Sequence, residues 1–241
     1  MKISQKIEKR IESIITGTTF RYEDLDIEAS EYGAATKSIG RFVDKGTLQR
    51  ASKGVFYKPR QTVFGLVKPS DYELLKPYLF KNNKRIAYIT GIQLYNQMGL
   101  TTQMPFTIEI SGKSRLKITK VGNIKVKSIK NFIEVTDENY QLLGILDTFK
   151  DFDTIPDIDR TTAIKLLIDN LKTLTPQQTQ ELIIYALKYP PRVRAFVGAV
   201  LENTDETLDL THLKKSINPL SKYKVGITNR LLPNANNWNL K

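Results

Sequence analysis

The chain has 241 residues, 40% of them hydrophobic, and its 37 basic against 25 acidic side chains give a formal net charge of +12. This length suits one large domain or two small ones, and the positive charge favours an anionic partner such as nucleic acid. The absence of cysteine excludes disulfides, thiolate chemistry and cysteine-ligated zinc. With no apolar run near the 20 or so residues that cross a bilayer and no signal-peptide core, we expect a cytoplasmic, bacterial-type protein without membrane association.

The N-terminal segment predicts two helices separated by a short extended piece. Isoleucines recur there at helical spacing: Ile3, Ile7, Ile11, Ile14 and Ile15. This spacing predicts a first helix over residues 2–15 with one apolar face, closed by Gly17. Residues 18–20 can extend, and residues 22–27 predict a short second helix.

Residues 31–58 are the most informative stretch of the chain. Four apolar residues share one helical face: Ala35, Ile39, Phe42 and Val43. Polar and basic residues occupy the opposite face: Thr36, Lys37, Arg41 and Lys45. We expect Ser30 to cap this third helix and Gly46 to end it in a left-handed conformation.

A tight hairpin is predicted directly after the third helix. Residues 48–52 and 55–57 flank the dipeptide Lys53-Gly54, which readily forms a hairpin turn. Helix, short helix, helix and hairpin over about sixty residues is the order of a winged helix-turn-helix. The sequence therefore predicts a DNA-binding domain over residues 1–60.

The remainder predicts a second, mixed domain over residues 70–205, connected by a linker at residues 59–69. Helices are predicted at residues 71–79, 88–98, 140–149, 161–171, 177–187 and 192–201. Period-two alternation predicts an antiparallel meander with strands at residues 107–110, 116–119 and 124–129. The fold class is therefore α+β, with a small antiparallel sheet and a C-terminal helical bundle. We expect residues 206–241, Asn-rich from residue 218, to form an extended tail packed along the surface or partly ordered.

The positive charge is concentrated rather than spread evenly. Residues 1–62 have a net charge of +4, residues 81–130 a net charge of +9, and residues 131–170 a net charge of −6. The polar face of the predicted meander carries Lys117, Lys125 and Lys127. These lysines are candidates for an auxiliary DNA contact, although exposed strands also use lysine to block edge aggregation.

Signals for catalysis or metal binding are weak. Ser111-Gly112-Lys113-Ser114 lacks the earlier glycine and the following helix of a phosphate loop, so a hairpin turn explains it better. Four aspartates cluster in one loop: Asp151, Asp153, Asp157 and Asp159. They could hold a divalent cation, but a loop that caps the next helix is the better explanation. His212 is the sole histidine, so multi-histidine metal sites are excluded.

Two segments resemble AbiEi-type antitoxins of type IV toxin–antitoxin, or abortive-infection, systems. Residues 38–57 are similar to that family's helix-to-wing segment, and residues 90–105 to the start of its second domain. The resemblance implies a winged helix that binds the operon's own promoter and a C-terminal domain that assists DNA binding or neutralisation. It also implies a partner, a nucleotidyltransferase-like toxin from the neighbouring gene.

The sequence thus predicts a transcriptional regulator of the antitoxin type, with no enzymatic activity, cofactor or metal, that binds double-stranded DNA. The predicted DNA contacts lie on the third helix and in the wing: Tyr32, Thr36, Lys37, Arg41, Lys45, Arg50, Ser52 and Lys53. Two alternatives remain open. One is an antitoxin that binds its toxin directly, and the other is a metal-dependent nuclease or nucleotidyltransferase that uses the aspartate cluster.

Overall fold

The computed structural model describes residues 3–227 and 229–241 and shows an α+β chain of helices and small antiparallel sheets. The chain forms two compact units. The first comprises residues 1–84 and 116–126, and the second comprises residues 85–115 and 127–241. Within the described ranges, no helix combines the length and apolar character needed to span a bilayer.

The first unit begins with the predicted order of elements. Helix α1 (Ile3–Ser13) is followed by strand β1 (Thr19–Arg21), two 3₁₀ turns (Tyr22–Leu25 and Ala29–Glu31) and helix α2 (Tyr32–Asp44). Strands β2 (Gln49–Ser52) and β3 (Val55–Tyr57) then complete an antiparallel sheet of order β1-β3-β2. Their core is a single apolar cluster: Ile7, Ile11, Phe20, Leu25, Ala35, Ile39, Leu48 and Phe56.

The prediction that Ser30 caps α2 is wrong. Ser30 lies inside the second 3₁₀ turn, and the residue before α2 is Glu31, whose backbone is already helical and whose side chain makes no capping bond. The turn is stabilised instead by the Glu31 carboxylate, which accepts from the Glu28 N–H at 3.3 Å. The helix continues a preceding turn, so no extended residue stands at its start.

The predicted linker is also wrong, because residues 59–69 contain a second hairpin. Strands β4 (Arg60–Thr62) and β5 (Gly65–Val67) form a two-stranded antiparallel sheet. Helix α3 (Asp71–Leu79) follows as predicted, and the Ser70 hydroxyl accepts from the Glu73 N–H at 3.2 Å.

Residues 88–98 are only partly helical. Strand β8 (Ala87–Thr90) pairs antiparallel with β9 (Thr107–Gly112), and helix α4 (Ile92–Gln97) begins after Gly91. The break occurs because Gly91 has φ +71°, a left-handed value that favours glycine.

The meander differs from the prediction in its second strand. Residues 116–119 are irregular, and β10 (Lys120–Val121) pairs instead with the start of β11 (Ile124–Lys130). Two short strands, β6 (Phe80–Lys81) and β7 (Lys84–Arg85), pair with each other. In the larger sheet the strand order is β10-β11-β9-β8.

The helices of the second unit follow the prediction closely: α5 (Tyr140–Asp151), α6 (Arg160–Lys172), α7 (Pro176–Ala186) and α8 (Pro191–Thr204). They enclose the larger core, in which Phe196 makes edge-to-face contacts with Phe149 and Phe152 at 4.8 and 5.0 Å between ring centroids. Prolines at the starts of α7 and α8 fit the first turn of a helix, where no N–H is needed.

The C-terminal segment is not an extended surface tail. It contains helix α9 (Thr211–Lys215) and a 3₁₀ turn (Ala235–Trp238), and Trp238 is 1% exposed in the core. The indole lies where a Cβ on Gly198 would be only 2.2 Å away, and its N–H donates to Glu202 at 3.0 Å. Because Gly198 of α8 has no side chain, the Trp238 ring packs directly against the helix, and this contact anchors the C-terminal segment.

Candidate nucleic-acid interface

Helix α2 presents to solvent the side chains that the sequence predicts to contact DNA. Its inner face is formed by Ala35, Ser38 and Ile39, all buried. Five of the predicted contact residues are exposed on the same helix and at its C-terminal end: Tyr32, Thr36, Lys37, Arg41 and Lys45. The amphipathic pattern that formed the helix thus also determines which side chains can meet a partner.

Arg41 is folded back onto its own helix. Its guanidinium donates to the Lys37 carbonyl at 3.4 Å and to the Ser38 hydroxyl at 3.3 Å. Both bonds are long, which indicates weak bonds that an anionic acceptor can replace. Lys37 extends from the exposed face without an ion pair among the described residues.

An aromatic stack connects α2 to the adjacent sheet. The Tyr32 ring lies 5.9 Å from Tyr22, and Tyr22 meets Phe56 edge-on at 5.3 Å. The Arg50 guanidinium lies 5.5 Å from the Phe56 ring centroid. The stack fixes Tyr32 and Arg50 on one connected framework, because Phe56 is buried in the core.

In hairpin β2–β3, a register shift places Arg50 and Ser52 in different environments, although both are predicted to contact DNA. Arg50 pairs with Phe56 and Ser52 with Val55, so Ala51 is the extra residue of a β-bulge. A bulge reverses the alternation of side chains. Arg50 is therefore exposed, whereas the half-buried Ser52 hydroxyl contacts the Tyr78 hydroxyl of α3. The Ser52 hydroxyl, predicted to contact DNA, is engaged within the fold, so a phosphate would have to compete with Tyr78 for it.

The bulge also provides the attachment point for the basic hairpin β10–β11. The Gly122 N–H donates to the Ala51 carbonyl at 2.7 Å, and Val121 is fully buried. Lys120 and Lys125 lie directly opposite each other in this hairpin. Like charges in that position destabilise a strand pair, so the arrangement works against the fold unless an anion compensates for it.

The structure therefore joins two basic segments that are distant in sequence. Residues 45–70 contain six basic side chains and no acidic one, and residues 110–133 contain seven basic side chains and no acidic one. Part of the latter, residues 116–126, folds into the first unit and includes Lys117 and Lys125. That unit has 19 basic and 10 acidic side chains, a net charge of +9, which leaves +3 for the second unit.

In the acid-free runs of the first unit, three exposed basic residues are absent from the predicted DNA contacts. Lys120 was missed because the strand register was unknown, and Arg60 and Lys68 were missed because residues 59–69 were taken for a linker. The acid-free runs around them were the signal that could have identified all three.

Lys127 belongs to a different environment from Lys117 and Lys125. It lies in the second unit, where its ammonium pairs with Glu109 at 2.6 Å. Both residues line a cleft of about 630 Å³ with Thr90, Gly91 and Tyr95 among its other lining residues. Of the three lysines predicted to form an auxiliary DNA contact, Lys117 and Lys125 therefore belong to the first unit, and Lys127 is an ion-paired residue of the second.

A buried carboxylate lies behind this cleft. Asp147, 2% exposed, accepts from the Tyr88 hydroxyl at 2.7 Å, from Thr90 at 2.8 Å and from Lys150 at 3.0 Å. Burial, together with the nearby Asp147, raises the pKa of Tyr88. These bonds compensate for the desolvation of Asp147, and they make it a structural centre of the unit.

The four loop aspartates each have a separate partner. Asp159 accepts from the Thr162 N–H at 3.1 Å and caps α6, and Asp153 pairs with Arg192 at 2.7 Å. Asp157 accepts from Gln103 at 2.7 Å. Asp151 accepts from Tyr95 at 2.7 Å, and burial raises the pKa of Asp151. Over the described ranges, no three His, Cys, Asp or Glu side chains converge to hold a metal ion. His212 is exposed.

Comparisons with known proteins place the chain in a family and a fold. The crystal structure of the RV2827C protein from Mycobacterium tuberculosis is similar, with a TM-score of 0.55 over 93% of this chain and 85% of that chain. The two sequences are 11% identical, so the likeness concerns the fold alone. No protein in the curated comparison matches the chain. Residues 6–167 match the family of unknown function DUF6088, and the chain belongs to that family.

Proposed function

We propose that the protein is a DNA-binding transcriptional regulator whose first unit acts as a winged helix-turn-helix. In this proposal α2 is the recognition helix and hairpin β2–β3 is the wing. The order of α1, a 3₁₀ turn, α2 and a three-stranded sheet supports this assignment. So does the exposed basic face of α2.

The observation that carries the proposal is the hydrogen bond from Gly122 to Ala51. It brings a hairpin with facing lysines, Lys120 and Lys125, against the strand that begins the wing. Two acid-free segments then contribute to one unit with a net charge of +9. A duplex, with its regular rows of phosphates, compensates for such a surface.

Apart from Ser52, each predicted residue of α2 and the wing then has a role that its geometry allows. Thr36 and Lys37 lie on the exposed face of α2 and would reach base edges or phosphates in the major groove. Arg41 would join them after releasing its two long intrahelical bonds. Arg50 and Lys53 would bind the adjacent backbone from the wing. Tyr32 and Lys45 would hold phosphates at the two ends of the helix.

The resemblance to AbiEi-type antitoxins suggests the biological context. We infer that the operator lies in the promoter of the protein's own operon, and that the product of the neighbouring gene is a nucleotidyltransferase-like toxin. Autorepression by this protein would then control the supply of both partners. The aspartates of the nuclease alternative are engaged by other side chains or by backbone, and the proposal assigns them no chemical role.

The decisive experiment measures binding to a duplex from upstream of the gene and to a shuffled duplex of equal length, from about 50 to 300 mM salt. We expect specific binding with a steep salt dependence. The Lys37→Ala, Arg41→Ala double variant should lose the preference for the upstream duplex. The Lys53→Ala variant should weaken both duplexes alike and lower the salt slope by about 0.9.

The matched control removes the same charge from the second unit. Lys165 and Lys172 are exposed on α6, and the Lys165→Ala, Lys172→Ala double variant should leave specific binding unchanged. Equal affinity of the wild type for both duplexes would contradict the proposal and would direct the search to a protein partner.

A further inference from the structure

Hairpin β4–β5, a separate element from the wing, ends in an apolar tip that is almost fully exposed. Val63 is 95% exposed and Phe64 is 97% exposed at the turn. On the next strand Leu66 is 50% exposed and Val67 is 40% exposed. The two strands form a sheet of their own, without further strands. An exposed cluster of large apolar side chains indicates an interaction site.

The tip is held rigidly outward. The Thr62 hydroxyl donates to the Gly65 carbonyl at 2.8 Å and accepts from the Phe64 N–H at 3.3 Å. At the base of the hairpin, the Lys58 carbonyl accepts from the Gly17 N–H at 2.8 Å and Pro59 is buried. Val63 and Phe64 are thus presented in a fixed turn, which lowers the entropy cost of binding.

The charge around the hairpin identifies the kind of partner. Arg60 is exposed at the start of β4, and Lys68, which follows β5, is exposed and pairs with Asp71 at 3.4 Å. Both belong to the acid-free segment of residues 45–70 that also contains the proposed wing. An apolar site that binds another protein does not need basic residues beside it. Proteins that insert a side chain into DNA, in contrast, combine an apolar wedge with cations.

The hairpin is long enough to reach the floor of the minor groove, but it is wider than the groove. Three residues per strand project about 10 Å, and the groove is about 7.5 Å deep but only about 6 Å wide. A two-stranded ribbon therefore reaches the base edges only if the groove widens. Widening is least costly at flexible TA and CA/TG steps.

We propose that hairpin β4–β5 enters the minor groove beside the operator segment held by α2, and that Phe64 inserts between two base pairs and bends the duplex. This inference rests on the proposed function and adds to it a second contact and a shape preference. Arg60 and Lys68 bind the phosphates on the two sides of the widened groove. The recognised DNA then carries a flexible pyrimidine–purine step at the insertion point.

The test measures affinity and DNA bending together, with the full-length chain and an upstream duplex labelled at both ends for energy transfer. We expect the wild type to bend the duplex. The Phe64→Ala variant should bind about tenfold more weakly and leave the duplex straight, because the wedge is lost. The Phe64→Leu variant should retain part of the bend, since leucine also inserts.

The control is Ile15→Ala, which removes another exposed apolar side chain of the first unit and should change neither quantity. Urea unfolding of Phe64→Ala should match the wild type, because the ring is exposed. Equal affinity and equal bending by wild type and Phe64→Ala would overturn the inference while leaving the regulator intact. The inference would also be overturned if Phe64→Ala reduced only the self-association of the protein. A wild type that binds no DNA would overturn both proposals.

Discussion

The two units of this chain use their charged residues in opposite ways. In the second unit, charged groups are paired around the core: Asp147 has four donors, and Arg192 binds Asp153 and two backbone carbonyls. In the first unit, the ion pairs among described residues involve Lys6, Arg10, Lys68 and Lys76. The cations of α2 and the wing, and Lys120 and Lys125 of hairpin β10–β11, are absent from these pairs.

The difference in the cores matches the difference in charge. The first unit has 95 residues and an eight-residue buried cluster around its first sheet, whereas the 146-residue second unit encloses the tryptophan and several phenylalanines. Side chains of the second unit are explained by packing. In the proposed function, the exposed cations of α2 and the wing are compensated by the phosphates of DNA.

The largest expected effect concerns the core of the second unit. Trp238→Ala should lower its free energy of unfolding by about 3–5 kcal/mol, because a fully buried indole leaves a cavity against Gly198. Urea unfolding followed by circular dichroism measures this loss. Leu220→Ala removes a side chain that is 91% exposed and should change stability by less than about 0.5 kcal/mol. A similar small change for Trp238→Ala would show that the C-terminal segment does not belong to the core.

A single charge reversal in the first unit should affect stability and binding in opposite directions. Lys125→Glu converts the Lys120–Lys125 cross-strand pair into an opposite-charge pair, which should stabilise the fold by about 0.2–1 kcal/mol. The same change should weaken binding to the upstream duplex and reduce its salt slope. Thermal unfolding and anisotropy titrations measure the two effects.

Lys127→Glu provides the contrast for that experiment. It replaces the ion pair with Glu109 by two neighbouring carboxylates, so it should destabilise the second unit and leave DNA affinity unchanged. If Lys127→Glu weakened DNA binding as much as Lys125→Glu, both units would contribute to the interface.

Two glycines of the first unit should respond oppositely to alanine. A Cβ at Gly40 or at Gly46 meets no atom within 4 Å. Gly40 lies within α2, so Gly40→Ala should raise stability by about 0.5–1 kcal/mol. Gly46 has φ +74°, and Gly46→Ala should destabilise by a similar amount or more. Denaturant unfolding of the two variants tests whether α2 has the boundaries described.

The smallest expected effect is a pH dependence in the second unit. Burial raises the pKa of Asp151 above the ordinary value of an aspartate, so the folded state retains this proton to higher pH than the unfolded state does. Its contribution to stability therefore decreases as pH rises from the unfolded to the folded pKa. Asp151→Asn removes that dependence. The free energy of unfolding of the wild type minus that of the variant should therefore fall as pH rises over this window. A difference that rises with pH would reverse the sign and contradict the burial of Asp151.

Local patterns were sufficient for the regular helices and for the tight hairpin. The four long helices of the second unit follow from apolar spacing and from prolines between them, and the turn at Lys53-Gly54 was identified by its glycine. Residues 88–90 were misassigned because tyrosine and isoleucine fit a helix or a strand equally well. Their pairing with residues 109–111 of β9 decided the matter.

By itself, the sequence determined the amphipathic face of α2, the acid-free basic runs and the excess of positive charge, because each depends on residue type and short spacing. Only the tertiary structure decided that residues 116–126 belong with the first unit, that Ser52 contacts Tyr78 and that Trp238 fills the space at Gly198. These three outcomes depend on a β-bulge, a single backbone hydrogen bond and the absence of one Cβ. Each joins residues far apart in the chain, and no local pattern of hydrophobicity or charge encodes such a contact.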